Sequence, residues 1–298
     1  MATPLRSILV TGATGKQGGA LARSLLSKGH HVRALARNPD SPPAEKLRER
    51  GAEIISGNME DPVSMAGATG GVDAIFVVTT PFESGVESEV CQGITVADAA
   101  KSASVPYLVY TSAPQADTRT GILYFESKTA IESHIKSLGV PYTILAPSFF
   151  MENLSGPYHM PGLHEGRFAI PLSPTCKLQM ISAEDIASFA TLMLEQQQPF
   201  LGRRIGLASD ELTPPQIAQV LSHAVGRNSG HYRTPMQEIR AWSKDLGLVY
   251  ERLDRIGTSI DIGSLCRDYP EIGWRRLQPW AEAQSWGLLT HERVEKIA

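Results

Sequence analysis

The chain has 298 residues, of which 42% are hydrophobic and 20% charged, with a formal net charge of −3. That balance suits one large α/β domain, or such a domain with a smaller lobe, and lacks the basic excess of a nucleic-acid binder. No apolar run of about 18 residues is present to cross a membrane, and the three scattered cysteines, Cys91, Cys176 and Cys266, fit reduced thiols in a cytoplasmic protein.

The first element is a short apolar strand, Ile8-Leu9-Val10, which breaks into Thr11-Gly12-Ala13-Thr14-Gly15-Lys16-Gln17-Gly18-Gly19. It begins too near the N-terminus to leave room for a signal peptide. The amphipathic stretch from Ala20 to Leu26 follows at once, so the order is strand, tight turn, helix. Glycines are needed where backbone approaches a pyrophosphate, and the helix start offers N–H groups and the positive end of its dipole. Gly12, Thr14, Gly15, Lys16, Gln17 and Gly18 are therefore candidate dinucleotide contacts. The next strand, His31 to Ala36, ends in Arg37-Asn38-Pro39. An NAD-preferring site places an acid there for the ribose 2′-hydroxyl, whereas a guanidinium suits the 2′-phosphate of NADP(H).

The alternation continues. Glu53 to Gly57 is a third strand, and Asp61-Pro62 marks a helix start with Asp as cap and Pro at the first helical position. Ala74 to Val78 is continuously apolar, as a strand covered on both faces should be. Glu87 to Ala103 is a helix, Tyr107 to Thr111 a strand, Phe125 to Leu138 a helix and Tyr142 to Leu145 a sixth strand. Repeated strand and helix imply right-handed crossovers and a doubly wound parallel sheet, with ligand over the carboxyl ends of the strands. After Pro147 the pattern is broken by Pro157, Pro161, Pro171 and Pro174; Asp185 to Leu194 and Thr213 to Val225 are helices, Arg204 to Leu207 a strand, and 235–286 mostly helical. The expected division is a Rossmann-like domain over 1–155 and a smaller, mostly helical lobe over 156–298, with 181–209 returning to the main sheet.

Tyr124-Phe125-Glu126-Ser127-Lys128 spells Y-x-x-x-K, and residues four apart share a helix face. A lysine beside a phenol lowers the phenol pKa and lets it exchange a proton near neutral pH. Ser112 closes the fifth strand, where a hydroxyl can hydrogen-bond a carbonyl oxygen as charge builds on it. The bland alternative is a turn serine and a solvated Tyr-Lys pair. The eight histidines show no paired spacing for a metal.

These residues carry a resemblance. The 11–19 loop, Arg37-Asn38-Pro39, Gly139-Val140-Pro141-Tyr142-Thr143 and Pro147-Ser148-Phe149-Phe150-Met151-Glu152-Asn153 are similar to the NmrA-like group of atypical short-chain dehydrogenases/reductases. The resemblance covers nearly the whole chain and is strongest through residue 155. It implies NADP(H) binding, a Rossmann-like domain and a smaller C-terminal lobe. It also implies cofactor contacts from Asn58 and Met59 on the adenine side, from Thr79 and Thr80 near ribose and pyrophosphate, and from Lys128, Pro147, Phe149 and Phe150 near the nicotinamide. Many members carry another residue where this chain has Tyr124. Tyr124, Lys128 and Ser112 together look like the catalytic trio of the wider superfamily.

The expected activity is an NADPH-dependent reductase of a small aromatic or quinone-like substrate, with Tyr124 as proton donor. Phe149, Phe150, Met151, Tyr158, His159, Met160 and Phe168 form either core or an apolar wall beside that substrate. The alternative is a non-catalytic NADP(H)-sensing regulator with a protein partner. A nucleotide-sugar epimerase, which shares the glycine and Y-x-x-x-K motifs, fits the residues after the sixth strand less well.

Overall fold

A computed structural model describes residues 6–286. The ends of the two expected domains, 1–5 and 287–298, lie outside the described residues. In chain order the first half comprises β1 (Ser7–Val10), α1 (Lys16–Ser27), β2 (His31–Ala36), α2 (Pro42–Arg48), β3 (Glu53–Ser56), α3 (Pro62–Thr69), β4 (Ala74–Val78), α4 (Gly85–Ser102), β5 (Leu108–Thr111), α5 (Leu123–Leu138) and β6 (Tyr142–Pro147). There follow β7 (Phe149–Phe150), α6 (Met160–His164), β8 (Arg167–Ile170), β9 (Leu178–Ile181), α7 (Ala183–Glu195), β10 (Arg204–Leu207), β11 (Asp210–Leu212), α8 (Pro214–Val225), β12 (Gly230–Arg233), α9 (Met236–Trp242), α10 (Lys244–Ile256), α11 (Ile262–Asp268) and α12 (Leu277–Glu282).

The described residues divide into two units, one formed by 6–147 with 183–207 and the other by 148–182 with 208–286. The first is a seven-stranded sheet in the order β10-β6-β5-β4-β1-β2-β3, parallel throughout. Strands β1 to β3 run outward in one direction, and β4 then pairs on the other side of β1. The order therefore reverses between β1 and β4, where open α/β sheets bind ligand at the carboxyl ends of their strands. The central strands are apolar on both faces because helices cover both. Leu9, Ile75, Val77, Leu108, Tyr110 and Ile144 pack with Met65 of α3, Val96 and Ala100 of α4, and Ile131 and Ile135 of α5.

Local chemistry sets the element ends. The Asp61 carboxylate accepts from Val63 N at 3.0 Å and Ser64 N at 3.2 Å, capping α3 ahead of Pro62. Thr213 and Gln216 form a capping box at the start of α8. Gly139, at φ +72°, ends α5 in the left-handed region before β6. On the side of α1, Ser24 meets Thr191 of α7 at 2.9 Å, and Glu195 takes Lys28 at 2.8 Å and His30 at 3.1 Å. Residues 183–207 thus supply both a covering helix and an edge strand.

The second unit contains a three-stranded sheet, β11-β9-β7, and a two-stranded one, β12-β8. Its core is formed by Met151, Leu154, Phe168, Leu178, Met180, Ile217, Leu221, Leu277 and Trp280. Inside this unit Asp210 ties α12 down, accepting from Leu277 N at 2.8 Å and Arg276 Nη1 at 3.2 Å. Among the described residues no helix is long and apolar enough to cross a membrane, and no group of three metal-ligating side chains comes together.

Candidate functional site

The loop after β1 is built for close backbone approach. Gly12 has φ +59°, a conformation open to glycine at little cost, and its carbonyl accepts from Gly15 N at 2.9 Å. A Cβ on Gly18 would lie 2.4 Å from the Gly12 carbonyl oxygen and 2.8 Å from that of Thr11. Both are backbone atoms that cannot move aside, so only glycine lets α1 seat this closely on β1. Thr11 pins the loop to β4, its hydroxyl accepting from Val78 N at 2.8 Å and donating to Val78 O at 3.1 Å. Gly15 begins α1 without a side-chain cap, so the start of this 12-residue helix presents amides to whatever lies over the loop. Thr14 and Lys16 are exposed there. Gln17 points elsewhere: it is buried, and its Nε2 donates to Thr111 Oγ1 of β5 at 2.8 Å.

Other expected residues sit past the carboxyl ends of neighbouring strands, as parallel pairing requires. Arg37 follows β2 and is exposed, with an Nη2 hydrogen bond to Glu83. Asn58 follows β3; its Oδ1 accepts from Glu60 N at 3.1 Å and its own N–H donates to Ser64 Oγ at 3.0 Å. Met59 is half-buried against the sheet core. Thr79 and Thr80 follow β4. The Thr80 hydroxyl accepts from Phe82 N at 3.4 Å, while Thr79 is buried and belongs to the polar cluster described next. Pro147 ends β6 opposite Leu207. Phe149 and Phe150 form β7 and pair with Met180 and Ile181 in the second unit.

The first turns of α5 carry Tyr124 and Lys128. Lys128 Nζ lies 5.3 Å from the centre of the Tyr124 ring, which also packs edge-on to Phe125 and at 5.9 Å from Phe82. The ammonium is buried and donates to Glu89 Oε1 at 2.7 Å. Glu89 is itself buried, and accepts Thr79 Oγ1 at 3.0 Å and Ser127 Oγ at 2.6 Å. Tyr110 OH lies 3.4 Å from Thr79 Oγ1. Burial opposes the charge on Lys128, but Tyr110, Tyr124 and Glu89 outweigh it and hold the group above lysine's ordinary range. Burial pushes the Tyr110 phenol up to about 12, with the Lys128 charge working against it. The arrangement is a buried ion pair whose ammonium also faces an aromatic ring.

Glu89 was not anticipated, although it shares one face of α4 with Gly93, Val96, Ala97 and Ala100. A lone acid on an apolar face was the available signal. Gly93 explains how the acid reaches Lys128. A Cβ there would lie 2.6–2.7 Å from three carbons of Ile131, so α4 and α5 approach closely at that level. One turn toward both N-termini, Glu89 then meets Ser127 and Lys128.

Ser112 is buried at the end of β5, and its hydroxyl donates to Glu132 Oε1 at 2.6 Å. Glu132 also takes Arg204 Nε at 3.2 Å and Lys136 Nζ at 3.1 Å, and Arg204 Nη1 reaches the carbonyl of Pro114 at 3.2 Å. Ser112 is thus held by a second buried carboxylate in a cluster joining β5, α5 and β10. Arg204 too was outside the sequence-based site; the sequence reading identified its strand but not the side chain's destination.

Known proteins match along most of the chain. A NAD(P)H azoreductase of Xenophilus azovorans is 29% identical over 251 residues, 81% of this chain and 82% of that protein. The nitrogen metabolite repression protein of Emericella nidulans is 28% identical over 254 residues, 80% of this chain and 71% of that protein. Among solved structures, an NADPH-dependent quinone oxidoreductase of Escherichia coli complexed with NADPH superposes with a TM-score of 0.75 at 23% identity, covering 92% of this chain and 98% of its own. The sequence profile of the NmrA-like family matches residues 5–248, and the chain belongs to that family.

Proposed function

We propose that the chain is an NADP(H)-dependent reductase of a small aromatic or quinone-like substrate. The observation that carries this is the Tyr124-Lys128 pair, with Nζ 5.3 Å from the ring centre, in the unit whose glycine loop sits at the sheet's switch point. The backbone from Gly12 to Gly18 and the start of α1 would hold the pyrophosphate, Arg37 the adenosine ribose, and Thr80, Lys128 and Pro147 the nicotinamide half. Bound there, the cofactor supplies a hydride for the electrophilic atom of the substrate. Tyr124 gives its phenolic proton to the oxygen on which charge develops. Lys128, fixed by Glu89, keeps a positive charge against the phenol ring. Ser112 polarises the same oxygen only if its hydroxyl leaves Glu132. The azoreductase and quinone oxidoreductase named above support the reaction class.

Steady-state NADPH oxidation over a panel of quinones and aromatic carbonyls tests this reading. Tyr124→Phe should lower kcat by at least about 100-fold, the lower end of what a positioned general acid contributes. Undiminished turnover in that variant removes Tyr124 from the proton-donor role.

One feature supports a second reading, a cofactor-sensing regulator. Lys128 and Ser112 are both held by buried carboxylates, and a relative over most of the chain is a repression protein. A lysate pull-down with and without NADP⁺ separates the two. A partner captured only in one cofactor state, with no turnover over the panel, selects the regulator.

A further inference from the structure

Arg37 does not stand in an open basic subsite. Glu83, in the loop between β4 and α4, accepts its Nη2 hydrogen bond. Glu60, after β3, is a further acid in this region: Ser88 and Gln92 hold its carboxyl below the usual range against the opposing effect of burial, and the Arg37 charge adds a lesser contribution. Gln92 Nε2 donates to Glu60 at 2.9 Å, which fixes this carboxylate on α4. The guanidinium is therefore already engaged by the Glu83 carboxylate at the place where the adenosine ribose would lie.

This arrangement changes what Arg37 can do. A 2′-phosphate carries a charge of about −1.5 to −2 near neutral pH, as phosphate monoesters do. To reach the guanidinium it must displace the Glu83 carboxylate. A ribose 2′-hydroxyl meets the opposite situation, because a carboxylate is the group that accepts its hydrogen bond. We propose that Glu83 sets the cofactor selectivity of this chain. Its carboxylate occupies Arg37 when no 2′-phosphate is present, opposes NADP(H), and accepts the ribose hydroxyl of NAD(H). The proposal rests on the preceding reading only in placing a nicotinamide dinucleotide at the carboxyl edge. Because Arg37 and Glu83 are both exposed, solvent and salt screen their attraction, so Glu83 moderates the preference for NADP(H) without abolishing binding.

The test is a calorimetric titration of NADPH and NADH into the wild type, Glu83→Gln, Arg37→Ala and the double variant. Glu83→Gln should tighten NADPH by about two- to fivefold, the size of an exposed ion pair, and weaken NADH. The NADPH effect should shrink at high salt and vanish in the Arg37→Ala background. Unchanged affinity for either cofactor, a parallel change in both, or an NADPH effect that persists undiminished without Arg37 overturns the proposal. Binding of neither cofactor by the wild type overturns it together with the reductase reading. Loss of the Tyr124 role alone would leave these affinities untouched.

Discussion

Replacing Glu89 by leucine would leave the Lys128 ammonium buried without its counter-charge. Removing one partner of a buried pair typically costs about 3–5 kcal/mol, whereas replacing both by apolar groups is often close to neutral. Glu89→Leu should therefore destabilise the protein by about 3 kcal/mol or more on that basis, and Glu89→Leu/Lys128→Met should recover most of the loss. Urea unfolding of the four-member cycle measures it, and additive single effects would show that the two groups do not interact. The pH dependence has a definite sign. Lys128 is raised above its unfolded value of 10.5, so its contribution is complete below that value and is lost as pH rises through the folded value. The difference between wild type and the double variant should stay flat through neutral pH and narrow only in strong alkali.

Gly93 decides how close two helices come. Alanine there would press a methyl group to 2.6 Å from Ile131 Cδ1, with Cγ1 and Cγ2 at 2.7 Å. All three atoms belong to the Ile131 side chain, which is buried, so that side chain must leave its place or the helices must part. Forcing a methyl into a packed interface costs about 1–3 kcal/mol, and Gly93→Ala should lie in that range even though alanine is the better helix former. Ile131→Ala added to Gly93→Ala should restore part of the loss, as thermal melts would show. If Gly93→Ala alone raises the melting temperature, the helices are not in the contact described. The same approach brings Glu89 to Lys128, so the variant should also lower cofactor affinity if Lys128 holds the nicotinamide ribose.

The connectivity of the whole chain predicts that a fragment of residues 1–155 will not fold cooperatively. It lacks α7, whose Thr191 and Glu195 meet Ser24, Lys28 and His30. It also lacks β10, which pairs along β6 and carries Arg204 to Glu132. Without them one face of α1 and one edge of the sheet are uncovered. Near-UV circular dichroism and a thermal melt should show lost tertiary packing and a broad transition. Joining 183–207 to 1–147 through a flexible linker should sharpen the transition. A sharp transition in the 1–155 fragment would show that the returning segment is dispensable.

Local patterns were enough to identify the parallel sheet and the glycine turn. Strands such as His31–Ala36, Ala74–Val78 and Arg204–Leu207 read correctly to the residue because apolar runs and flanking turn residues lie within a few positions of one another. The Asp61-Pro62 helix start and the helix beginning at Thr213 were legible for the same reason. Helix α2 and the short strands β7, β8, β9, β11 and β12 were not, since two to seven residues carry too little periodicity and their pairing partners are distant in the chain. In the site, Tyr124 and Lys128 were visible as a spacing on one helix. Their surroundings, and those of the other site residues, were decided by tertiary packing: Glu89 arrives from α4, Glu132 takes the Ser112 hydroxyl, and Glu83 pairs with Arg37. Sequence spacing reports which side chains share a face. Which charge meets which depends on the approach of separate elements, and that was settled by a few contacts such as Gly93 against Ile131.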